Sequence, residues 1–161
     1  RFMWKPFKIS CQAGLCIALA ACGGSKPPVP ELPPTLVQLT LQADTTVNQD
    51  NRGRPTPVVV RYYLLSHPAS FEAADFFSLF DADEKTLGAT SVQREEITLR
   101  PGESVKTIQR PGSEVKSIGV FVAYRDPNRT VWRAVAPIQR NTLNTLQAKV
   151  GRDTVSISAQ R

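Results

Sequence analysis

The sequence predicts an all-β fold, a two-sheet sandwich of about eight short strands with one short helical insertion after the second strand. From residue 35 onward, apolar and polar residues alternate in short segments, as in strands with one buried face. Turn-forming pairs such as Pro101-Gly102 and Pro111-Gly112 separate these segments. Only the stretch near residues 70–80 carries apolar residues at helical spacing. Short strands at regular spacing are typical of sandwiches.

The first two strands are separated by an unusually long polar segment. Val37, Leu39 and Leu41 alternate with polar residues in the first strand. The second strand spans 58–65, and its run of three valines favours a central position in a sheet. Residues 44–57 between them are polar and contain two prolines and a glycine. Loops of this length are often functional, although a tolerated surface insertion is the alternative.

The helical insertion is predicted from a cap and an aromatic stripe. Ser70 is a candidate N-cap, and Ala73, Phe76, Phe77 and Phe80 fall on one helical face. We expect this stripe to pack on the sheet, with an exposed docking surface as the alternative. Residues 81–86 are polar and predict only a short turn.

The second half of the chain predicts six further strands. The segment 115–124 is apolar on both faces through its middle, which predicts an interior strand. The final hairpin turns at Gly151-Arg152-Asp153. The six segments span 92–99, 104–109, 115–124, 131–138, 147–150 and 154–159.

The N-terminal region predicts a lipidated anchor. A basic start is followed by an uncharged apolar run that ends in Leu19, Ala20, Ala21 and Cys22, which resembles the bacterial lipobox. This pattern predicts a lipoprotein signal peptide over 1–21, a lipidated proline-rich linker over 22–34 and a sandwich domain over 35–161. The alternatives are an ordinary signal peptide cut near Ala21 and a buried N-terminal helix. The linker is expected to be extended, with a reach of about 30 Å or more.

Composition and motifs argue against catalysis, metal binding and nucleic-acid binding. His67 is the only histidine, and it precedes a proline in a predicted surface turn. The adjacent Glu95 and Glu96 point to opposite faces of a strand, so they do not form an acid–base pair. The net charge of +6 comes from interspersed charges rather than from a basic stripe with aromatic residues. We therefore predict no enzyme activity, no cofactor, no metal and no nucleic-acid partner.

Several segments together resemble the TssJ family, the outer-membrane lipoproteins of type VI secretion systems. The likeness runs from about residue 36 to the C-terminus, and the lipobox agrees with it independently. No single segment is decisive, but their order and spacing are. The segments are VNQDNRGRPTPVVVRYYLL, FEAADFFSLF, LGAT, LRPGES, IGVFVAYRD and VWRA.

The resemblance implies a transthyretin-like sandwich, anchored in the outer membrane by acyl chains on Cys22 and facing the periplasm. It implies binding to the periplasmic C-terminal domain of the inner-membrane protein TssM, with TssL as an indirect partner in the same complex. In the family the loop between the first two strands contacts TssM. That loop corresponds here to Asn48, Gln49, Asp50, Asn51, Arg52, Gly53, Arg54 and Pro55. The alternative function is a periplasmic lipoprotein that carries a small ligand inside its sandwich.

Overall fold

The computed structural model describes residues 26–160. The predicted signal peptide, the lipobox residues Leu19, Ala20 and Ala21, and the lipidation site Cys22 lie outside the described residues. The chain divides into two compact units, Arg1–Glu31 and Leu32–Arg161. The described residues of the first unit, 26–31, are exposed and have no regular secondary structure. All strands and helices found within residues 26–160 belong to the second.

Eight strands form two four-stranded sheets. Sheet A has the order β4-β1-β7-β8, and sheet B has the order β3-β2-β5-β6. Neighbouring strands are antiparallel except β1 and β7, which are parallel over their whole length. The strands are β1 Leu36–Ala43, β2 Val58–Leu65, β3 Ser91–Leu99, β4 Ser104–Gln109, β5 Ser117–Val122, β6 Arg133–Pro137, β7 Leu143–Val150 and β8 Val155–Ala159.

The core follows from the alternation that the sequence shows. Val37, Leu39 and Leu41 of β1 are fully buried and pack in one cluster with Val60 of β2 and Val120 of β5. Such side chains contribute roughly 1.5–3 kcal/mol each when they leave water. The observed architecture confirms the predicted all-β sandwich with a helical insertion after the second strand.

The helical insertion consists of two helices, α1 Ala69–Ala73 and α2 Phe76–Leu87, packed on the outer face of sheet B. Every residue of β5 is buried, because the core lies on one side of it and this insertion lies on the other. Phe121 of β5 packs on Phe76 of α2, with ring centroids 5.2 Å apart. The prediction that 115–124 is an interior strand is thereby confirmed.

The predicted details of the insertion are partly wrong. Ser70 is not a cap, since α1 begins after Pro68 without a side-chain cap and ends at Ala73. Asp75 then starts α2 by accepting a hydrogen bond from Ser78 N at 2.9 Å, which shifts the helical phase. Phe77 and Phe80 are consequently exposed. α2 continues through the predicted polar turn, but its helical geometry is broken there at Ala82, which has a φ of −149° and a ψ of 47°. Its buried residues are Phe76, Leu79, Asp83 and Leu87.

Strand positions agree with the sequence prediction, and the largest difference is in β7. This strand begins at Leu143 rather than at residue 147 because it pairs with β1 over eight consecutive positions. Tertiary pairing thus extends the strand through polar residues that carry little strand signal of their own. The predicted segments 115–124 and 131–138 are shorter in the structure, at Ser117–Val122 and Arg133–Pro137.

A polar network joins α2 to sheet B. Asp83 Oδ2 accepts hydrogen bonds from Tyr63 Oη at 2.7 Å and from Arg94 Nε at 2.6 Å. Arg61 donates to Glu96 Oε2 at 2.6 Å and to the carbonyl oxygen of Leu79 at 2.8 Å. Desolvation acts to raise the pKa of Asp83, but these donors outweigh it and the net pKa is lowered. The network therefore stabilises the folded state while Asp83 is ionised.

Replacing Asp83 by asparagine is expected to destabilise the protein by about 1–3 kcal/mol at pH 7, because the charge-assisted bond from Arg94 is lost. The folded-state pKa lies below 3.8, so this stability is present above that pH and disappears as the pH falls through the folded-state value. Urea unfolding at pH 7 and at pH 3 measures the loss of stability in Asp83→Asn and its dependence on pH. Asp81→Asn, at an exposed position of the same helix, is the control. If Asp83→Asn lowers the free energy of unfolding equally at pH 7 and at pH 3, the stability does not come from the ionised Asp83 carboxylate.

A candidate binding loop at one end of the sandwich

The long loop 44–57 lies at the end of the sandwich opposite to the point where the chain enters β1. The register places Ala43 of β1 beside Val150 of β7, and Val58 of β2 beside Leu99 of β3. The connections 44–57, 100–103, 123–132 and 151–154 therefore meet at one end, called here the loop end. Leu36, where β1 begins, lies beside Leu143 at the other end.

Hydrogen bonds and a buried valine stabilise the base of the loop. Asp44 Oδ1 accepts a hydrogen bond from Thr46 N at 2.8 Å, and Asp44 O accepts one from Gly102 N at 3.2 Å. Val47 is fully buried in the main core. Thr56 N donates to Val47 O at 3.2 Å, which closes the two ends of the loop. The loop is thus continuous with the core.

Asn48 joins the loop to two neighbouring connections. Its Nδ2 donates to Thr56 Oγ1 and to Pro57 O, both at 3.0 Å. Its Oδ1 accepts a hydrogen bond from Arg125 N at 3.1 Å, and its backbone N donates to Arg152 O at 3.2 Å. The residue has a φ of 47°, a conformation that asparagine adopts more readily than most residues. Asn48 therefore stabilises the base of the loop.

The tip of the loop is organised around the carboxylate of Asp50. Its Oδ1 accepts hydrogen bonds from Arg52 N at 2.8 Å and from Arg54 N at 2.9 Å. Its Oδ2 pairs with the Arg54 guanidinium, with both Nε and Nη2 at 2.8 Å. The backbone hydrogen bond from Arg54 is the largest cause of the lowered pKa of Asp50. Gly53 supplies the left-handed turn with a φ of 73°.

The eight predicted site residues divide into supporting and exposed groups. Asn48 is buried and the Asp50 carboxylate faces inward, so both support the loop, and Gln49 is half-buried. The exposed residues are Asn51, Arg52, Gly53, Arg54 and Pro55. Within residues 26–160, the Arg52 guanidinium makes no hydrogen bond or ion pair, which leaves its donors available to a partner.

Three arginines from other connections lie next to the loop and were not predicted as site residues. Arg125, Arg129 and Arg152 line an open groove together with the loop residues Gln49 and Asp50. All three are exposed. The sequence predicted turns near these arginines, but their proximity depends on the order of the strands in the sheets. Local sequence carries no signal for that order.

The described part of the chain contains neither a metal-binding cluster nor a membrane-spanning helix. Within residues 26–160, no group of three or more His, Cys, Asp or Glu side chains is placed to bind a metal ion. No helix in this range is both long enough and apolar enough to cross a membrane. The grooves described at the surface are open, and the space between the two sheets is filled by core side chains.

The fold and the loop define a class, a transthyretin-like β-sandwich that presents a rigid, arginine-bearing loop at one end. Residues 35–153 match the family model described as type VI secretion lipoprotein, VasD, EvfM, TssJ, VC_A0113. The chain belongs to this family. It is a structural lipoprotein of the secretion system rather than an enzyme.

Solved structures agree with this assignment. The T6SS lipoprotein TssJ1 from Pseudomonas aeruginosa is 32% identical, with a TM-score of 0.77 over 80% of this chain and 98% of that one. A chain of a type VI membrane complex is 26% identical, with a TM-score of 0.68 over 79% and 98% of the two chains. A chain in a structure of the T6SS protein TssM C-terminal domain from EAEC shares the fold at 24% identity. Its TM-score is 0.63, over 79% and 98% of the two chains. A search of curated protein sequences finds no match.

Proposed function

We propose that this chain anchors the type VI secretion membrane complex to the outer membrane and binds the periplasmic region of TssM through the loop end. In this proposal residues 1–21 are removed, Cys22 carries acyl chains, 22–34 act as a linker and 35–161 form the binding domain. TssL is an indirect partner within the same complex. The observation that carries the proposal is the rigid, exposed loop at the end opposite to the chain entry.

The strand directions support this arrangement. The linker joins the sandwich at Leu36, and β1 runs through eight residues to Ala43 before the loop begins. At about 3.3 Å per residue, the loop base lies roughly 26 Å from the point of linker attachment. A domain held by its linker-entry end therefore presents the loop away from its lipid anchor, toward a partner from the inner membrane.

The internal hydrogen bonds of the loop favour protein binding. A loop that is ordered before binding loses less conformational entropy when the complex forms. Arg52 offers a planar guanidinium that binds carboxylates through paired hydrogen bonds, whereas that of Arg54 is already paired with Asp50. The fold is shared with a chain of a type VI membrane complex and with a chain in the TssM C-terminal domain structure, which supports TssM as the partner. A ligand carrier would need an internal cavity, and the packed core disfavours it.

Reversing the charge of Arg52 tests the proposal most directly. Arg52→Glu is expected to weaken binding to the TssM periplasmic domain at least about tenfold, equivalent to about 1.4 kcal/mol, without changing the thermal midpoint. Titration calorimetry with the full acylated chain in detergent measures the affinity. Arg110→Glu, which makes the same charge change outside the loop end, is the matched control. Unchanged affinity for Arg52→Glu would place the TssM contact elsewhere.

A further inference from the structure

The end of the sandwich where the linker enters carries exposed aliphatic side chains that the fold does not use. Ile108 of β4 is 64% exposed and Leu143 of β7 is 55% exposed. Leu36 lies directly beside Leu143, and Ile108 pairs with Gln38, two residues further along β1. Val37 and Leu39 face the core, so these side chains all lie on the outer face of sheet A.

Basic residues flank these aliphatic side chains. Arg110 and Arg140 line an open groove with Pro34, Thr35 and Asn141, and no acidic residue lines it. The connections 110–116 and 138–142 together contain Arg110, Lys116 and Arg140 against a single acid, Glu114. The acidic helical insertion packs on sheet B, on the opposite face of the sandwich. We call Leu36, Ile108, Leu143, Arg110 and Arg140 the linker-entry surface.

The last residues of the linker are held against this surface. Asn141, with a φ of 57°, donates from Nδ2 to Pro33 O at 2.9 Å and from its backbone N to Thr35 Oγ1 at 2.9 Å. The tether between the proposed lipidation site and the domain is therefore limited to the residues between Cys22 and Pro33. Even when fully extended, this segment spans no more than about 40 Å. An acyl group on Cys22 would keep the linker-entry surface within that distance of the bilayer.

We propose that the linker-entry surface contacts the anionic phospholipid surface into which the acyl chains insert. Ile108 and Leu143 enter the interfacial region, while Arg110 and Arg140 pair with lipid phosphates. This inference rests on the proposed acylation of Cys22. Aliphatic side chains beside basic residues are the composition that interfacial binding requires. The tether raises the local concentration of the surface at the membrane, so a weak contact suffices. The contact would orient the loop end away from the bilayer.

A spin label on Leu143→Cys tests the contact, with Val131→Cys as the matched control. Val131 is 54% exposed and lies in a connection at the loop end. The acylated chain, reconstituted in phosphatidylcholine vesicles containing phosphatidylglycerol, would carry no other free thiol. We expect a several-fold lower accessibility of the label at 143 to a water-soluble nickel chelate, and full accessibility at 131. The label at 143 should become more accessible to the chelate in the double variant Arg110→Glu with Arg140→Glu. The same increase is expected in vesicles of phosphatidylcholine alone.

Equal nickel accessibility at 143 and 131, in protein that floats with the vesicles, would overturn this inference and leave the proposed anchoring intact. Failure to float would instead overturn the anchoring on which it rests. Binding of the TssM periplasmic domain to the same vesicles tests the proposed role of the loop end separately. If Leu143→Cys does not fold, Ile108→Cys provides the same test on β4, which lies on the other side of β1. Low nickel accessibility of the labels at both 143 and 131 would contradict the proposed orientation.

Discussion

Replacing Cys22 by serine is expected to move the protein from the membrane fraction to the soluble fraction and to abolish type VI secretion. In the proposed processing, a diacylglyceryl group is attached to the sulfur of Cys22 as a thioether, and serine offers no equivalent thiol. Each buried methylene contributes about 0.8 kcal/mol to membrane binding, so loss of several chains removes the anchor completely. Membrane fractionation and a secretion assay in the native host measure the two effects.

The folded domain should be unaffected by this substitution. The strands and helices of the described residues begin at Leu36, well after Cys22 in the sequence, so the thermal midpoint of the soluble variant should match that of the isolated domain. Cys16→Ser, within the predicted signal peptide, is the control and should leave the mature protein membrane-bound. A Cys22→Ser protein that remains in the membrane fraction would show that another feature provides the anchor.

The strands were predictable because their signal is local. Alternation in β1 and the apolar run in β5 arise from burial on one face or on both, and each can be recognised within a few residues. The helical insertion was harder to predict, because the aromatic spacing suggested one continuous helix. Asp75 interrupts it by capping α2, and the break moves Phe77 and Phe80 to the surface.

The loop 44–57 was predictable as a segment, but the structural roles of its residues were not. Its length, prolines and arginines mark it as exposed and polar. Asn48 resembles an ordinary turn residue in the sequence, but its side chain accepts a hydrogen bond from Arg125, which lies 77 positions away. The position of Arg129 and Arg152 beside the loop likewise depends on how the strands are ordered in the two sheets. Long-range topology therefore determines which residues support the site and which face a partner.

Replacing Asn48 by alanine is expected to destabilise the domain by about 2–4 kcal/mol and to weaken TssM binding at least about tenfold. The substitution removes the hydrogen-bond partner of Arg125 N and two donors to Thr56 and Pro57. An unsatisfied buried polar group costs about 1–3 kcal/mol, and alanine at positive φ adds about 1 kcal/mol of backbone strain. Urea unfolding and calorimetry with the TssM periplasmic domain measure the two effects.

Two further variants separate the causes of this loss. Asn48→Gly accommodates the positive φ but lacks the hydrogen bonds, so it should recover only the part of the stability lost to backbone strain. Asn51→Ala, an exposed asparagine in the same loop, should leave stability within about 0.5 kcal/mol of the parent. If the loop binds TssM because it is held rigid, the affinity of the Asn48 variants should fall even at temperatures where both remain fully folded. Full affinity in a folded Asn48→Ala protein would mean that the loop acts through its exposed side chains alone, without the support of its buried base.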